Sequence, residues 1–155
     1  MTNAVALEKA SEHIGETLFT SQWINVDREH LAQFGWSTYL DPDYTDLTVG
    51  KNNPLGPDLI DGFLLLSLLT SIHFNHNPIT AGETLYGLNY GLDRVRFTAP
   101  VFVGQRLRLV CTIEEVQDKG AGQLLITTSN TLEVEGQNKP AMVATWLSLF
   151  IPGEQ

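Results

Sequence analysis

The segment "FLLLSLLTSIHF", residues 63–74, constrains this chain more than any other. Wound at 3.6 residues per turn it is apolar almost all round, so it reads as a helix buried on most sides. Asp61 and Gly62 open it, and Asp is among the best residues for capping a helix start. The chain that follows has to cover it. From residue 85 the period changes from helical to two, and 85–101, 105–117, 122–136 and 141–152 read as strands. Leu107, Leu109, Cys111 and Ile113, for example, alternate with Arg106, Arg108, Val110 and Thr112. The connections "PVFVGQ", "DKGAG" and "EGQNKP" carry turn chemistry at a spacing that suits an antiparallel meander. With 155 residues, 43% of them hydrophobic, the chain is long enough for one domain over 1–155 with its own core. The natural solution is an α+β fold in which a long antiparallel sheet curls around a central buried helix.

The first third reads as helix and loop. A short helix is expected over residues 4–14, stopped by Gly15, and a second over 26–36, capped by Asp27, with Leu31 and Phe34 on one face. Residues 37–57 hold Pro42, Gly50, Pro54, Gly56 and Pro57 among polar residues, and a loop of that length in a small domain is usually functional or disordered. Inside it lies "LDPDYTDLT", residues 40–48, with three aspartates. The stretch reads as a solvated turn, a metal loop or an acid/base site. It lacks the ligand spacing and closing Glu of an EF-hand. His73 and His76, three apart and without an acidic partner in sequence, read as surface or helix-terminal residues and not as metal ligands. Trp23, Trp36 and Trp146 read as core or interface residues, and Arg94 and Arg96, two apart in a strand, as sharing a face.

Charge narrows the function classes. The formal net charge is −9, from 18 acidic and 9 basic residues, which argues against a nucleic-acid surface. Cys111 is the one cysteine, so neither an intrachain disulfide nor a multi-cysteine zinc site is available. The amino-terminal residues lack the apolar run of a signal peptide, and the run at 63–69 is too short for a membrane span. A cytoplasmic protein with no membrane partner and no metal or other cofactor is the expectation.

Four stretches then resemble one family. "ETLFTSQWINVDREHLAQF" (16–34) is similar to the entry segment of MaoC-like dehydratases and R-specific enoyl-CoA hydratases, and "PLGPDLIDGFLLLSLL" (54–69) to that family's entry into its central helix. "LNYGLDRVRFTAPVFVGQRLRL" (88–109) carries the most specific likeness, and "EVEGQNKPAMVATWL" (133–147) resembles the final hairpin. The resemblance spans roughly residues 12–151 and is nearest to the nodulation-protein-N-like members. It implies a hot-dog fold that dimerises, and reversible addition of water to a 2,3-enoyl thioester, usually of coenzyme A. In the family an Asp and a His, five apart in a "D-x-N-P-x-H" loop, activate water. A backbone N–H at the helix start polarises the thioester carbonyl, a role that suits the unsatisfied amides and positive dipole end there.

This chain departs from the pattern at that loop. Asp41 falls at the catalytic Asp, Asp43 at the Asn and Asp46 at the His; a shifted register places Tyr39 at the His instead. In neither register does a histidine occupy the position. An ordinary Asp is ionised where His exchanges a proton. Two carboxylates close together in a dry pocket still divide into an acid and a base, because repulsion and burial raise one pKa. The resemblance therefore implies Asp41 and Asp46 as an altered pair, with the Gly62 amide as the oxyanion donor. Gly62 also fits a close-packing role. Tyr39, Asp61, Tyr90, Arg94 and Arg96 are the substrate-side candidates, with Asp61 as a helix cap and the arginines as surface ion pairs in the plainer reading. The alternatives to a hydro-lyase are a non-catalytic acyl-binding or structural subunit beside a relative that keeps the dyad, and a hot-dog thioesterase. The expected assembly is a homodimer or a hetero-oligomer with a related subunit.

Overall fold

The structure is a computed structural model that describes residues 5–40, 54–80 and 85–153. Its frame is four strands: β5 (Leu85–Phe97), β6 (Arg106–Gly120), β7 (Gln123–Val134) and β8 (Met142–Pro152). Two short strands, β2 (Thr17–Thr20) and β3 (Ile24–Asn25), pair with β6. Together they form a six-stranded antiparallel sheet in the order β2-β6-β7-β8-β5, with β3 beside β6. Val5–Ala6 (β1) pairs in parallel with Ile79–Thr80 (β4). The expected helix at 4–14 is a 3-10 helix, Leu7–His13, burying Leu7 and Ala10. The first third thus holds three short strands where the local pattern gave helix and loop. Their register comes from β6 and β4, which local sequence cannot display.

Helix α1 (Arg28–Ser37) starts at Asp27, whose carboxylate accepts from the His30 amide at 3.0 Å. That amide and the His30 ring hold the Asp27 carboxyl below its ordinary pKa. Leu31 and Phe34 of α1 pack against the core, but Trp36 is 69% exposed, so it is no core residue. Helix α2 (Gly62–His76) lies on the inner sheet face, made of Leu107, Leu109, Cys111 and Ile113 from β6, alternate residues of β7, and Met142, Ala144 and Trp146 from β8. Leu64, Leu65, Leu69 and Ile72 face the core. Phe63, Ser67, Thr70 and Phe74, at helical spacing, form an open stripe, with Phe74 90% exposed. The chain's own sheet therefore covers one side of α2, not most of its circumference. The uncovered side lies toward β5, an edge strand of the sheet.

Strand β5 has two register slips against β8, between Asn89 and Gly91 and between Asp93 and Arg96. Each adds one residue and reverses which parity faces inward. Gly87 and Asn89 pair with the inward Phe150 and Ser148, Leu92 with the inward Trp146, and Phe97 with the inward Met142. Arg94 sits in the second bulge at φ 50°. The expectation that Arg94 and Arg96 share a face fails at this slip, because the period of two is broken between them. Leu69 is 2% exposed in the core, so Leu69→Ala should lower the unfolding free energy by about 3 kcal/mol, read from urea midpoints.

Candidate active site

The start of α2 is fixed by a short antiparallel contact. Ile60 N–H donates to Val101 O at 2.8 Å and Val103 N–H to Asp58 O at 2.9 Å, with Leu59 bridging Phe102. Ile60 and Val101 are buried, so the anchor is apolar as well as hydrogen-bonded. It places Gly62 under the ring of Phe97: a Cβ on Gly62 would lie 3.1 Å from three ring atoms. Close approach thus explains a glycine here, as one of the two sequence readings held. Asp61 is the N-cap, its carboxylate accepting from the Phe63 amide at 2.7 Å, as its plainer reading held. The Gly62 amide has no partner among the described residues. A free amide at a helix start is a donor aimed along a positive dipole end, suited to an oxygen that gains negative charge.

A cavity of about 300 Å³ begins at that first turn. Phe63, Leu66, Ser67 and Thr70 of α2 form one wall, and Asn89–Leu92 of β5 with Trp146 of β8 the other. A second cavity, about 400 Å³, shares Thr70, Asn89 and Trp146 with it and continues to His73, Asn77, Ser148 and Phe150. The two make one trough alongside α2, which is about 22 Å long. Gly87 helps form its far wall: Phe150 lies across it, 3.2 Å from where a Cβ would stand.

The candidate residues divide around this trough. Tyr90, at the first bulge of β5 and 57% exposed, lines the first cavity. Arg94 and Arg96 are exposed and line neither cavity; Arg96 Nη1 donates to Val95 O at 2.7 Å. Tyr39 is 71% exposed at the end of the segment that follows α1, with φ 57°. Asp41 and Asp46 lie outside the described residues. Among the described residues no group of three metal-capable side chains gathers.

Sequence reasoning missed a buried polar cluster beneath the trough. His73, expected at the surface, is 8% exposed although it does stand in the last turn of α2. Its Nε2 lies 2.6 Å from Asn130 Oδ1, and its ring makes edge contacts with Phe19 and, at 4.6 Å, Trp146. Asn130 Nδ2 donates to Thr128 Oγ1 at 2.9 Å and to Thr128 O at 3.2 Å. With Nδ2 donating, Asn130 Oδ1 is the acceptor and His73 carries its proton on Nε2. Asn130 pairs across the sheet with Cys111 and Ala144, two small side chains that leave room for the imidazole above them. The available signal was the polar run "TTSN" at 127–130, which puts Thr128 and Asn130 at inward positions of an otherwise apolar strand. Burial pushes the His73 pKa down to about 4, the Asn130 contact opposing it, and pushes the Cys111 thiol up to about 12.

The fold is that of a hot-dog protein with a trough running alongside its central helix from Phe63 onward. A MaoC like domain matches residues 9–135. Over 151 residues the chain is 36% identical to nodulation protein N of Rhizobium leguminosarum bv. viciae, covering 94% of this chain and 91% of that one. It is 35% identical over 143 residues to 3-hydroxyacyl-thioester dehydratase Z of Mycobacterium tuberculosis, covering 88% and 90%. The fold is shared with a monoamine oxidase regulatory protein from Archaeoglobus fulgius (TM-score 0.72, 21% identity, 99% and 97% coverage). It is also shared with the (R)-hydratase from A. caviae (TM-score 0.62, 16% identity, 86% and 95% coverage). The chain belongs to the MaoC-like dehydratase family. No helix among the described residues is long and apolar enough to cross a membrane.

The buried histidine carries a pH signature. Its folded pKa is about 4 against the ordinary 6.5, so as pH falls the unfolded chain takes up this proton first. The neutral-His73 contribution is complete above pH 6.5 and is lost as pH falls toward 4, on the order of 3 kcal/mol in all. Urea midpoints across that window should fall more steeply for the wild type than for His73→Gln.

Proposed function

We propose that the protein is a hydro-lyase of acyl thioesters, adding water to a 2-enoyl thioester or removing it from the 3-hydroxyacyl partner. The observation that carries the reading is the Gly62 amide, unpartnered among the described residues and one residue before Phe63 of the trough wall. A thioester carbonyl held at that amide gains a hydrogen bond that strengthens as enolate charge develops, which is the interaction that accelerates proton transfer at the adjacent carbon. The acyl chain then lies along α2 against Leu66, Leu92 and Trp146. Asp41 and Asp46 serve as the acid/base pair, one ionised and one held protonated by its neighbour. The 35% identity to a 3-hydroxyacyl-thioester dehydratase supports the same chemistry, with coenzyme A as the expected carrier.

Purified protein should hydrate enoyl-CoA substrates, and Asp41→Asn should lower turnover about 100-fold or more, the usual scale for an acid/base group. Turnover unchanged by that substitution removes Asp41 from the mechanism. The absence of a histidine at Asp46 favours one other reading, a non-catalytic subunit that shapes the trough of a dyad-bearing relative. Such a subunit would be inactive alone and co-purify with that relative. Release of free coenzyme A from saturated acyl-CoAs would instead mark a thioesterase.

The open stripe of α2 and the long edge β5 support a homodimer, or a pair with a related subunit, built across them. Sedimentation should report a dimer for the wild type and a shift to monomer for Phe74→Asp, which puts a charge at the most exposed point of that stripe.

A further inference from the structure

The trough gains further polar side chains along its length. Both cavities set polar side chains in apolar walls, Ser67, Thr70 and Asn89 in the first, and at the far end the second adds His73, Asn77 and Ser148 among Phe74, Leu88 and Phe150. Asn89 and Ser148 are Cα partners on β5 and β8 and line the cavity side by side. The bulge at Tyr90 is what brings Asn89 to the inner face, because without the slip its parity would be that of Leu92's outward neighbours.

His73 presents a specific demand there. With Nε2–H committed to Asn130, Nδ1 carries the ring's lone pair and accepts but does not donate. Nδ1 has no hydrogen-bond partner among the described residues, and His73 is one of the residues that line the second cavity. An acceptor held in a mostly apolar wall is satisfied by a hydroxyl and left unsatisfied by a methyl group.

We propose that this end of the trough is a subsite for an acyl chain bearing a hydroxyl near its distal end, which donates to His73 Nδ1 and accepts from Asn89 or Ser148. Helix geometry puts His73 roughly 16 Å along α2 from Gly62. The hydroxyl therefore lies far from the thioester and is not the 3-hydroxyl that the proposed reaction forms or removes. This subsite rests on the acyl-thioester reading and names the substrate class for it.

The test is direct binding by calorimetry, which needs no turnover. The probes are a chain-length series of saturated acyl-CoAs, each with and without a hydroxyl on its terminal carbon. At one chain length the hydroxylated member should bind about tenfold more tightly than its plain counterpart, as for one satisfied buried acceptor. Both longer and shorter chains should show less preference. His73→Leu should bring the pair within about twofold while plain chains still bind. Asn89→Leu and Ser148→Ala, away from the core, should each weaken the preference and keep the subsite testable if His73→Leu unfolds. Equal binding of hydroxylated and plain chains at every length overturns the subsite alone. Failure of every acyl-CoA to bind overturns the acyl-thioester reading, and the subsite with it.

Discussion

An apolar 15-residue helix laid on the inner face of a sheet organises everything else in this chain. Leu64, Leu65, Leu69 and Ile72 leave water by packing on β6, β7 and β8, and the hydrophobic gain from such side chains outweighs any single polar contact nearby. One sheet cannot wrap a cylinder, however. Among the described residues the stripe from Phe63 to Phe74 stays uncovered, and the space between that stripe and β5 becomes the trough. The proposed binding space and the proposed assembly surface have the same origin: an apolar helix with more surface than the sheet covers.

Strand β5 does two jobs that conflict in a regular strand. It closes the sheet against β8 and also shapes the wall of the trough. The two bulges reconcile them, since each slip exchanges inward and outward side chains without breaking the ladder on either side. Gly87 and Asn89, then Leu92, then Phe97 are delivered to the inner face in turn. Phe97 in particular reaches the helix start only because of the second slip, and its ring leaves Gly62 no room for a side chain.

The large elements were legible in the sequence because their signals are local and long. The helix from Gly62 and the strands 106–120, 123–134 and 142–152 each run for ten residues or more with one dominant period, and 85–97 is long enough to read as a strand although two bulges break its alternation. The helix cap at Asp61 was legible for the same reason. What escaped was set by distant partners. Strands β2 and β3 exist because β6 offers a free edge, and the bulges of β5 exist because of how β8 packs, so neither has a local period to read. Of the candidate residues Tyr90 lines the first cavity, Gly62 stands one residue before its wall at Phe63, and Arg94 and Arg96 stand apart from it. His73 escaped because a histidine in a leucine-rich helix looks like a surface residue until Asn130 is found opposite it, 57 positions later.

That His73–Asn130 contact has a further consequence. A cylinder of leucines on a smooth aliphatic floor has several orientations of nearly equal energy, each reached by a small roll about its long axis. One short hydrogen bond, set over the small side chains of Cys111 and Ala144, is satisfied at a single azimuth. Any roll leaves two desolvated polar groups facing hydrocarbon. The pair therefore acts as a key in a shaft: it adds little to how strongly the helix is held, and it fixes which way Gly62 points.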